Sequence, residues 1–388
     1  MKRLFWALAA ALMIFAPAAL AQTAQEITDT CTLSAVGKKT LGRMTDGQYQ
    51  TYWASSSGSY AYVEIDAEES VGGLYVQFYE DIAALEVQTT DDAGAWRTVA
   101  VSGGSFLNEY IALDAGTETV RIRPKDGKGR LFIAELHVFG EGDAPDWVQQ
   151  WEAPLDKADL LALAAHPDDE LLFLGGTIPY YAGEMGRKVQ VAYLVPTMPY
   201  RRLELLDGLW LCGVKNYPMI GHFPDKYQLT LKGMYAQKGW SRESVYRFVA
   251  ETYRACRPDV VVTQDVNGEY GHGAHRAAAD AAQAAIALAA DENDQEKMTH
   301  SEPWQVKKLY LHLYEQNPVK MDWRKPLAAF GGQTAFDLAS RAFECHISQQ
   351  RTDYHVEDFG PYDNSKFGLA YSAVGEDVQK DDFFENLE

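Results

Sequence analysis

The chain has 388 residues, of which 47% are hydrophobic and 23% are charged, so it is long enough to form two packed globular domains. Its formal net charge is −20 at pH 7. A surface with that charge repels nucleic acid and anionic lipid, which excludes polyanion binding as the main function and favours a neutral or locally cationic substrate.

The first 21 residues have the pattern of a secretory signal peptide. Lys2 and Arg3 precede an apolar run of about a dozen residues, and residues 19–21 provide a small-residue cleavage site. The run is short for a membrane span, and no cysteine follows as a lipid anchor requires. We therefore expect cleavage near Ala21 and an exported product, periplasmic or extracellular, without stable membrane insertion; an uncleaved anchor is the alternative. Losing Lys2 and Arg3 changes the formal charge from −20 to −22.

Four cysteines follow the predicted signal peptide: Cys31, Cys212, Cys256 and Cys345. Export permits disulfides, but the spacing is wide and no CxxC pair occurs. We expect no zinc–thiolate site, and the spacing does not reveal a disulfide pairing. Cys212 and Cys256 lie in helical patterns, which is consistent with buried thiols.

Residues 32–142 are predicted to form an all-β sandwich domain. Alternating apolar and polar residues predict strands at 60–65, 74–79, 85–90, 96–101, 119–124 and 131–139. Since no helical pattern interrupts them, we expect an antiparallel sandwich.

Two stretches of this segment are similar to a known module. TDGQYQTYW at 45–53 and ELHVFGEG at 135–142 resemble the start and the end of discoidin-like, galactose-binding-type jelly rolls. The resemblance implies a jelly roll that binds sugar or presents a substrate. A purely structural sandwich is the alternative, because a fold alone does not define a function.

Residues 143–157 are predicted to be a linker, and the hydrophobic period changes after them. Continuous apolar strands are predicted at 160–165, 189–195, 258–265 and 306–314, and helices at 201–212, 241–256 and 274–290. Apolar strands that alternate with helices predict a mostly parallel, doubly wound, Rossmann-like α/β sheet over residues 158–388. Ligands of such sheets bind at the carboxyl ends of the strands.

The first of these strands ends in a cluster of ionisable residues. Asp159 to Gly176 reads DLLALAAHPDDELLFLGG, so His166 and three acids follow the apolar run. Such a cluster is costly to bury unless its charges are used. Pro167 restricts the turn, and the adjacent Asp168 and Asp169 cannot point the same way. One carboxylate can therefore bind a metal while the other faces an open coordination position as a base, as metal-assisted hydrolysis requires.

A second histidine motif follows another predicted strand. His272 and His275 lie three residues apart at the start of a predicted helix, so their side chains share a face. The positive end of the helix helps to keep a ligand histidine neutral. With the first motif, this set suits Zn²⁺, although Fe²⁺ or another divalent ion fits the same donors. The alternative is that these residues only cap a helix and solvate loops, but both motifs follow apolar strands of one sheet.

Together the two motifs resemble a known enzyme family. AHPDDE at 165–170 and NGEYGH at 267–272, followed by His275, are similar to the motifs of the PIG-L (LmbE-like) deacetylases. These enzymes are zinc-dependent N-deacetylases that act on N-acetylglucosamine conjugates. The resemblance covers about residues 159–349 and includes Arg201, Glu204, FPD at 223–225 and HISQ at 346–349.

The resemblance implies a role for each residue of the two motifs. It implies that His166, Asp169 and His275 bind zinc, which lowers the pKa of a bound water. It implies that Asp168 is the general base. It also implies that His272 stabilises the oxyanion or protonates the leaving amine.

The chain departs from the family at one place. The family usually has Pro-Asp between the two histidines, where this sequence has Gly273 and Ala274. The family aspartate orients and charges the first histidine, here His272. We expect a less basic and less fixed His272 unless Asp265 or Glu269 takes over, whereas no metal ligand is missing.

The candidate substrate-binding residues are Arg201, Arg202, Glu269 and Tyr270. An arginine can bind a sugar hydroxyl or a phosphate, and an aromatic ring can stack on a pyranose. On a leucine-rich helix, an arginine is also commonly a solvated surface residue.

The sequence therefore predicts an exported zinc hydrolase that removes the N-acetyl group from an N-acetylglucosamine-type glycan or glycoconjugate. One alternative is a zinc amidase that cleaves a larger N-acyl group from an amino-sugar conjugate. A second alternative, suggested by Ala274 and the sandwich, is a carbohydrate-binding protein with a weakened catalytic domain.

Overall fold

The structure, a computed structural model, describes residues 22–37, 40–80, 84–114, 117–293, 298–299, 302–351 and 353–387. The predicted signal peptide lies outside the described residues. Within these ranges, no helix is both long and apolar enough to cross a membrane. All four cysteines carry free thiols, and Cys212 and Cys256 are buried.

The first part of the chain forms two antiparallel sheets. Their strands are β1 (Thr32–Ser34), β2 (Trp53–Ala54), β3 (Val63–Asp66), β4 (Gly73–Phe78), β5 (Leu85–Thr90), β6 (Trp96–Val101), β7 (Asn108–Ala112), β8 (Thr119–Pro124) and β9 (Phe132–Phe139). The five-stranded sheet has the order β1-β3-β8-β5-β6, and the four-stranded sheet has the order β2-β9-β4-β7. Neighbouring strands are antiparallel in both sheets, as predicted.

Alternating side chains build the core between these sheets. In β8, Val120 and Ile122 are buried, whereas Arg121 between them is only partly buried. This is the pattern of a strand with one face on the core and one face toward solvent. β4 is different, because all of its residues are buried. Its second face must therefore be covered by another part of the chain.

The second part of the chain contains a seven-stranded sheet. Its strands are β10 (Leu160–Ala164), β11 (Val189–Tyr193), β12 (Met219–Ile220), β13 (Val260–Thr263), β14 (Lys308–His312), β15 (Pro318–Lys320) and β16 (Lys366–Ser372). The order is β12-β11-β10-β13-β14-β16-β15. The first five strands of this order are parallel, and β16 is antiparallel to both of its neighbours.

Helices cover both faces of this sheet. They are α1 (Asp169–Leu172), α2 (Pro199–Leu211), α3 (Leu231–Tyr235), α4 (Arg242–Cys256), α5 (Gly273–Ala290) and α6 (Ala335–Glu344), with a π-helical segment at Pro179–Glu184. Leu160 and Ala162 of β10 belong to the same core as the leucines of α2 and the apolar face of α6. Leu161 and Leu163 face the other side and pack in one core with α4 and α5. The second part is thus a mixed α/β structure.

The register of β10 and β13 determines where the two histidine motifs, which follow these strands, meet. Leu163 of β10 pairs with Thr263 of β13, and the two strands are parallel. Thr263 Oγ1 donates a hydrogen bond to Leu163 O at 2.7 Å, and the N–H of Ala165 donates to Gln264 Oε1 at 2.8 Å. The residues that follow both strands therefore emerge at one edge of the sheet.

The predicted linker, residues 143–157, is packed between the two parts. Gln149 and Trp151 are buried, and Trp151 Nε1 donates to Gln149 Oε1 at 2.8 Å. Gln149 Nε2 donates in turn to Asp207 Oδ1 of α2 at 2.5 Å. Tyr49 of the sandwich donates its hydroxyl hydrogen to Asp207 Oδ2 at 2.8 Å. Asp207 thus joins the sandwich, the connecting segment and α2.

The last part of the chain returns to pack against the sheet. Lys308 of β14 is fully buried, forms an ion pair with Asp377 and donates to Glu385 O at 2.8 Å. Tyr310 donates its hydroxyl hydrogen to the same carboxylate. Since Phe383 is also buried in this region, residues 377–387 complete the core on this side.

Candidate functional site

The turn after β10 carries Asp168 in a strained conformation. Asp168 is buried and has φ of 110°, in a region that costs free energy for residues other than glycine. Arg201 of α2 holds this turn. Its Nη2 donates to Pro167 O at 2.7 Å and to Asp168 Oδ2 at 2.9 Å. These bonds help to offset the strain and fix the direction of the carboxylate.

The two adjacent acids have different proton affinities. Burial and the neighbouring Asp169 raise the pKa of Asp168 to about 7, against the opposing charge of Arg201. Burial also raises the pKa of Asp169, but the charges and hydrogen bonds of His275 and His166 outweigh it, so this pKa is lowered. Asp168 is therefore suited to proton transfer, and Asp169 is suited to holding a cation.

The second motif lies at the start of α5 and meets the first one. His272 is the N-cap of α5, and His275 lies in its first turn. The ring centroids of His166 and His272 are 4.9 Å apart, and those of His166 and His275 are 5.5 Å apart. The rings of His272 and His275 are 4.8 Å apart. Two segments that are distant in sequence therefore form one histidine cluster: His166, His272 and His275.

The backbone fixes the tautomer of His272. Its Nδ1 accepts a hydrogen bond from the N–H of Ala274 at 3.2 Å, so the proton of the neutral ring is on Nε2. Burial and the nearby rings of His166 and His275 lower the pKa of His272 to about 3, which keeps it neutral. His272 is thus a hydrogen-bond donor at Nε2 rather than a ligand with a free electron pair there.

In His275 the proton and the free electron pair are on the opposite ring nitrogens from those in His272. His275 Nδ1 lies 2.8 Å from Glu269 Oε2, so Nδ1 carries the proton and Nε2 keeps its electron pair. The other oxygen, Glu269 Oε1, lies 2.6 Å from Nδ1 of His312. His312 is the last residue of β14, the strand next to β13 in the sheet. Although burial raises the pKa of Glu269, the hydrogen bonds from His275 and His312 hold it well below its usual value.

The structure places Glu269, a predicted substrate-binding residue, beneath the histidine cluster rather than on an open surface. Its carboxylate is fully buried, and both oxygens are occupied by the two imidazoles described above. Glu269 orients His275 instead. It does not take over the role of the family aspartate toward His272, which is oriented by the backbone N–H of Ala274.

The donor atoms fit a divalent metal ion. The imidazole nitrogens of His166, His272 and His275 lie within 4.8 Å of one another, and all three residues are buried. Asp169 Oδ2 lies 3.1 Å from His166 Nδ1 and 3.3 Å from His275 Nε2. Atoms that bind one tetrahedral ion at 2.0–2.1 Å lie about 3.3 Å apart, which matches these contacts. Because Nε2 of His272 carries a proton, His166, Asp169 and His275 are the better donor set.

Aromatic rings surround the opening of the cluster. Tyr270 has its hydroxyl oxygen 3.4 Å from His275 Nε2, and its ring centroid is 5.2 Å from that of Tyr354. The ring of Tyr227 lies 5.4 Å from that of His272. Tyr227 and Tyr354 are 68% and 40% exposed. These rings can stack on a sugar at the mouth of the site.

The two candidate arginines lie in different places. Arg201 contacts Asp168 and therefore belongs to the histidine cluster rather than to an open substrate pocket. Arg202, the next residue of α2, lies on the side of Tyr79 of the sandwich: burial raises the pKa of the Tyr79 hydroxyl, and the charge of Arg202 partly opposes that shift. The structure thus brings only Arg201 of this pair into contact with the turn that carries Asp168.

Sequence reasoning missed several partners of the site. Glu170 and His346 are fully buried, with Oε1 and Nε2 3.8 Å apart. Glu204 accepts hydrogen bonds from the N–H and the hydroxyl of Ser348, at 2.9 and 2.7 Å. Asp225 Oδ1 lies 3.9 Å from His166 Nε2. All five lie in motifs that carried the family resemblance, but a motif does not show which of its residues pair in space.

Comparison with known proteins supports this reading of the motifs. Residues 161–286 match the family model described as PIG-L: GlcNAc-PI de-N-acetylase. The 1D-myo-inositol 2-acetamido-2-deoxy-alpha-D-glucopyranoside deacetylase of Kineococcus radiotolerans is 29% identical over 239 residues, which are 50% of this chain and 65% of that protein. The chain thus spans just under two thirds of that relative. The resemblance to PIG-L is confirmed for residues 161–286.

Solved structures give weaker likenesses. The N,N'-diacetylchitobiose deacetylase from Pyrococcus horikoshii is 18% identical with a TM-score of 0.36, covering 53% of this chain and 75% of its own. An F5/8 type C domain from Bacteroides fragilis is 14% identical with a TM-score of 0.24, covering 31% of this chain and 96% of its own. Scores this low do not establish a shared fold, so the terms Rossmann-like and jelly roll stay predictions.

Proposed function

We propose that this protein is a metal-dependent hydrolase that removes the N-acetyl group from an N-acetylglucosamine-type amino sugar in a glycan or glycoconjugate. The observation that carries the proposal is the position of Asp168. A buried carboxyl with a pKa near neutrality stands beside a donor set that fits a divalent ion. The relative from Kineococcus radiotolerans is named as a deacetylase of a 2-acetamido-2-deoxy-glucopyranoside, which supports an acetamido sugar as the substrate class.

His166, Asp169 and His275 would hold the metal ion. Two imidazoles and one carboxylate suit Zn²⁺, and Fe²⁺ is the alternative. When bound, such an ion polarises a carbonyl group and lowers the pKa of a coordinated water. Glu269 supports this set, because its hydrogen bond directs the free electron pair of His275 to Nε2.

The chain's own residues supply the proton transfers. Asp168 accepts the proton of the attacking water, because its pKa lies near neutrality and Arg201 fixes its carboxylate. His272 donates a hydrogen bond from Nε2 to the carbonyl oxygen as negative charge develops there. The proton on Asp168 then passes to the amine nitrogen as the C–N bond breaks. The products are acetate and the free amino sugar.

We also infer the organisation of the whole chain. The two antiparallel sheets support a jelly-roll sandwich over residues 32–142, joined by residues 143–157 to the second part. Parallel strands with helices on both faces support a Rossmann-like deacetylase domain over residues 158–388. Export after cleavage near Ala21 rests on the pattern of the first 21 residues.

The proposal is tested by Asp168→Asn, which removes the base and keeps the size of the side chain. We expect acetate release from N-acetylglucosamine and its oligomers to fall by at least about 100-fold. Asp92→Asn, at an exposed turn of the sandwich, is the matched control and keeps full activity. A chelator should abolish acetate release, and added Zn²⁺ should restore it. The proposal fails if the metal-loaded wild type deacetylates no N-acetylated amino sugar, or if Asp168→Asn is as active as the control.

A further inference from the structure

One buried carboxyl beside the site, that of Glu170, has no part in the proposed reaction. Glu170 is the second residue of α1 and is fully buried. Its Oε2 accepts a hydrogen bond from the N–H of Asp168 at 2.9 Å. Within the described part of the chain, its Oε1 has no hydrogen-bond partner, and the buried His346 Nε2 lies 3.8 Å from it, beyond hydrogen-bond length. The carboxyl is therefore held through Oε2, by the backbone of the base.

A carboxyl in this position is not what the packing of α1 requires. The residues that follow it, Leu171 and Leu172, are also buried. An apolar side chain would fill the same interior position at a lower cost in free energy, because a carboxyl has to be taken out of water. A polar residue that is kept against such a cost is commonly one that a functional site requires.

Asp168 and Glu170 divide the two bonds of a helix cap between them. Asp168 is the N-cap of α1, a position from which an aspartate usually accepts a hydrogen bond from an N–H of the first helical turn. Here its side chain makes no such bond, and Oδ2 accepts from Arg201 Nη2 at 2.9 Å instead. Glu170 makes the reverse bond, from the helix back to the N–H of the N-cap, as the glutamate of a capping box does. The Asp168 carboxylate is thereby left free to act as the base.

The bond from Glu170 also fixes the strained backbone of Asp168, whose φ is 110°. On the other side of this residue, Asp168 O accepts from the N–H groups of Leu171 and Leu172, both at 3.0 Å. Without the Glu170 oxygen, the buried N–H of Asp168 would lose its acceptor, which costs free energy. The peptide group between Pro167 and Asp168 could then relax and carry the carboxylate with it. A displacement of about 1 Å is enough to slow a reaction by about 100-fold.

The metal ligand next in sequence is held separately. Asp169 Oδ2 accepts a hydrogen bond from the backbone N–H of His166 at 2.8 Å and lies 3.3 Å from His275 Nε2. Neither contact involves Glu170. Loss of the Glu170 carboxyl should therefore move the base and leave the metal donor set in place.

We propose that Glu170 is a positioning residue for Asp168: its hydrogen bond to the backbone N–H of Asp168 holds the base in the orientation for proton transfer. The inference rests on the proposed function and adds to it a residue that acts through the base. The requirement is an oxygen that accepts the N–H. A glutamine, whose amide oxygen also accepts, can therefore replace Glu170, whereas a leucine cannot.

The test measures kcat and KM for acetate release from N-acetylglucosamine by the Zn²⁺-loaded enzyme. Glu170→Leu should lower kcat by about 10- to 100-fold and leave KM within about threefold of the wild type. Glu170→Gln should keep kcat within about threefold. Zn²⁺ affinity, measured by competition with a chelator, should be that of the wild type in both variants. Glu135→Leu is the matched control and should keep the wild-type kcat, because Glu135 is a buried carboxyl of the sandwich that also accepts a backbone N–H, that of Gln48 at 2.9 Å.

Three results would overturn the inference and leave the proposed function standing. They are a wild-type kcat in Glu170→Leu, a loss of kcat in Glu170→Gln as large as that in Glu170→Leu, and a loss of Zn²⁺ affinity that matches the loss of kcat. If Glu170→Leu does not fold by circular dichroism, Glu170→Met, which is unbranched and also lacks an oxygen, carries the same expectations.

Failure of the proposed function has a different signature. In that case the Zn²⁺-loaded wild type deacetylates no N-acetylated amino sugar. Hydrogen–deuterium exchange over residues 165–172 then decides whether Glu170 holds the turn. The Asp168 turn must exchange at least about tenfold faster in Glu170→Leu than in Glu170→Gln, because a lost acceptor lowers the protection of the amide. Equal exchange in the two variants overturns the inference as well.

Discussion

One buried carboxylate, that of Glu269, determines how His275 can act. It stays charged in a fully buried position because His275 and His312 each contribute a hydrogen bond. Removing either partner would leave an uncompensated polar group, which costs more than the bond itself. The pair therefore restricts His275 to one tautomer and one ring orientation, and only that tautomer offers Nε2 to a metal.

Replacing Glu269 by glutamine tests this role. The amide keeps the shape of the side chain but loses the charge. Its NH2 group only donates, so just one of the two imidazole N–H groups keeps an acceptor. We expect Glu269→Gln to weaken Zn²⁺ binding by about 10- to 100-fold, measured by competition with a chelator. Glu118→Gln, on the exposed surface of the sandwich, is the control and should bind Zn²⁺ like the wild type. Unchanged Zn²⁺ affinity in Glu269→Gln would contradict the assigned role.

At the scale of elements, strands were predicted well where one face is polar. The segments at 85–90, 96–101 and 119–124 coincide with β5, β6 and β8. β7 was missed because it begins with polar residues that are nevertheless buried. Asn108 donates to Gln149, and Glu109 accepts from the N–H of Ser105 at 2.7 Å. Hydrophobic periodicity does not record hydrogen-bond partners, whether they lie four residues away, as Ser105 does, or 41, as Gln149 does.

For the candidate site, the positions of the histidines were predictable from the sequence, but the partners that orient the site residues were not. The position of His166 and of His275 after apolar strands was enough to expect their convergence, because parallel neighbours end at one edge. The role of Glu269 was not readable, because it depends on His312, which lies 43 residues further along the chain. The contact of Arg201 with Asp168 was hidden for the same reason.

The start of α5 explains one departure from the family pattern. Gly273 stands where the family usually has proline, and its N–H donates to Gln228 O at 2.6 Å. A Cβ atom at this position would lie 2.9 Å from Gln228 O and 3.2 Å from Met234 Cβ. The segment around Gln228 thus packs so closely on the helix that a larger residue, or one without an N–H, does not fit.

This close approach gives a prediction for stability. Gly273→Ala should lower the free energy of unfolding in urea by about 1–3 kcal/mol, because the methyl group is overpacked. Gly273→Pro should lower it further, since proline also lacks the donor N–H. Gly42→Ala is the control, because its Cβ would have no neighbour within 4 Å. Equal unfolding free energies for Gly273→Ala and the control would contradict the argument.

At the scale of the whole molecule, Asp207 is the polar centre of the contact between sandwich and sheet. Burial raises its pKa to about 7, although hydrogen bonds from Tyr49 and Gln149 lower it. In the unfolded chain, an aspartate titrates near pH 3.9. Between these values the folded protein binds more protons than the unfolded chain. The contribution of Asp207 to stability is therefore lost as the pH rises from about 4 to about 7.

Asp207→Asn should remove this dependence. Relative to the variant, the wild type should lose up to about 1.4 kcal/mol of unfolding free energy per pH unit between pH 5 and pH 7. Urea unfolding at pH 5, 6 and 7 measures the difference. Other groups with raised pKa values, such as Glu135, are present in both proteins and cancel in the comparison. Parallel pH profiles for the wild type and Asp207→Asn would show that Asp207 is not the titrating group.

The buried ammonium of Lys308 has a consequence for biosynthesis. A ribosome makes Lys308 well before Asp377, which lies 69 residues later and provides its counter-charge. Until that carboxylate emerges from the exit tunnel, the lysine has to remain hydrated, because burying it alone is too costly. The central parallel strands can assemble early during translation, but β14 cannot settle into its final place beside them. Folding of the nascent chain is therefore expected to finish late, with the arrival of its acidic final segment.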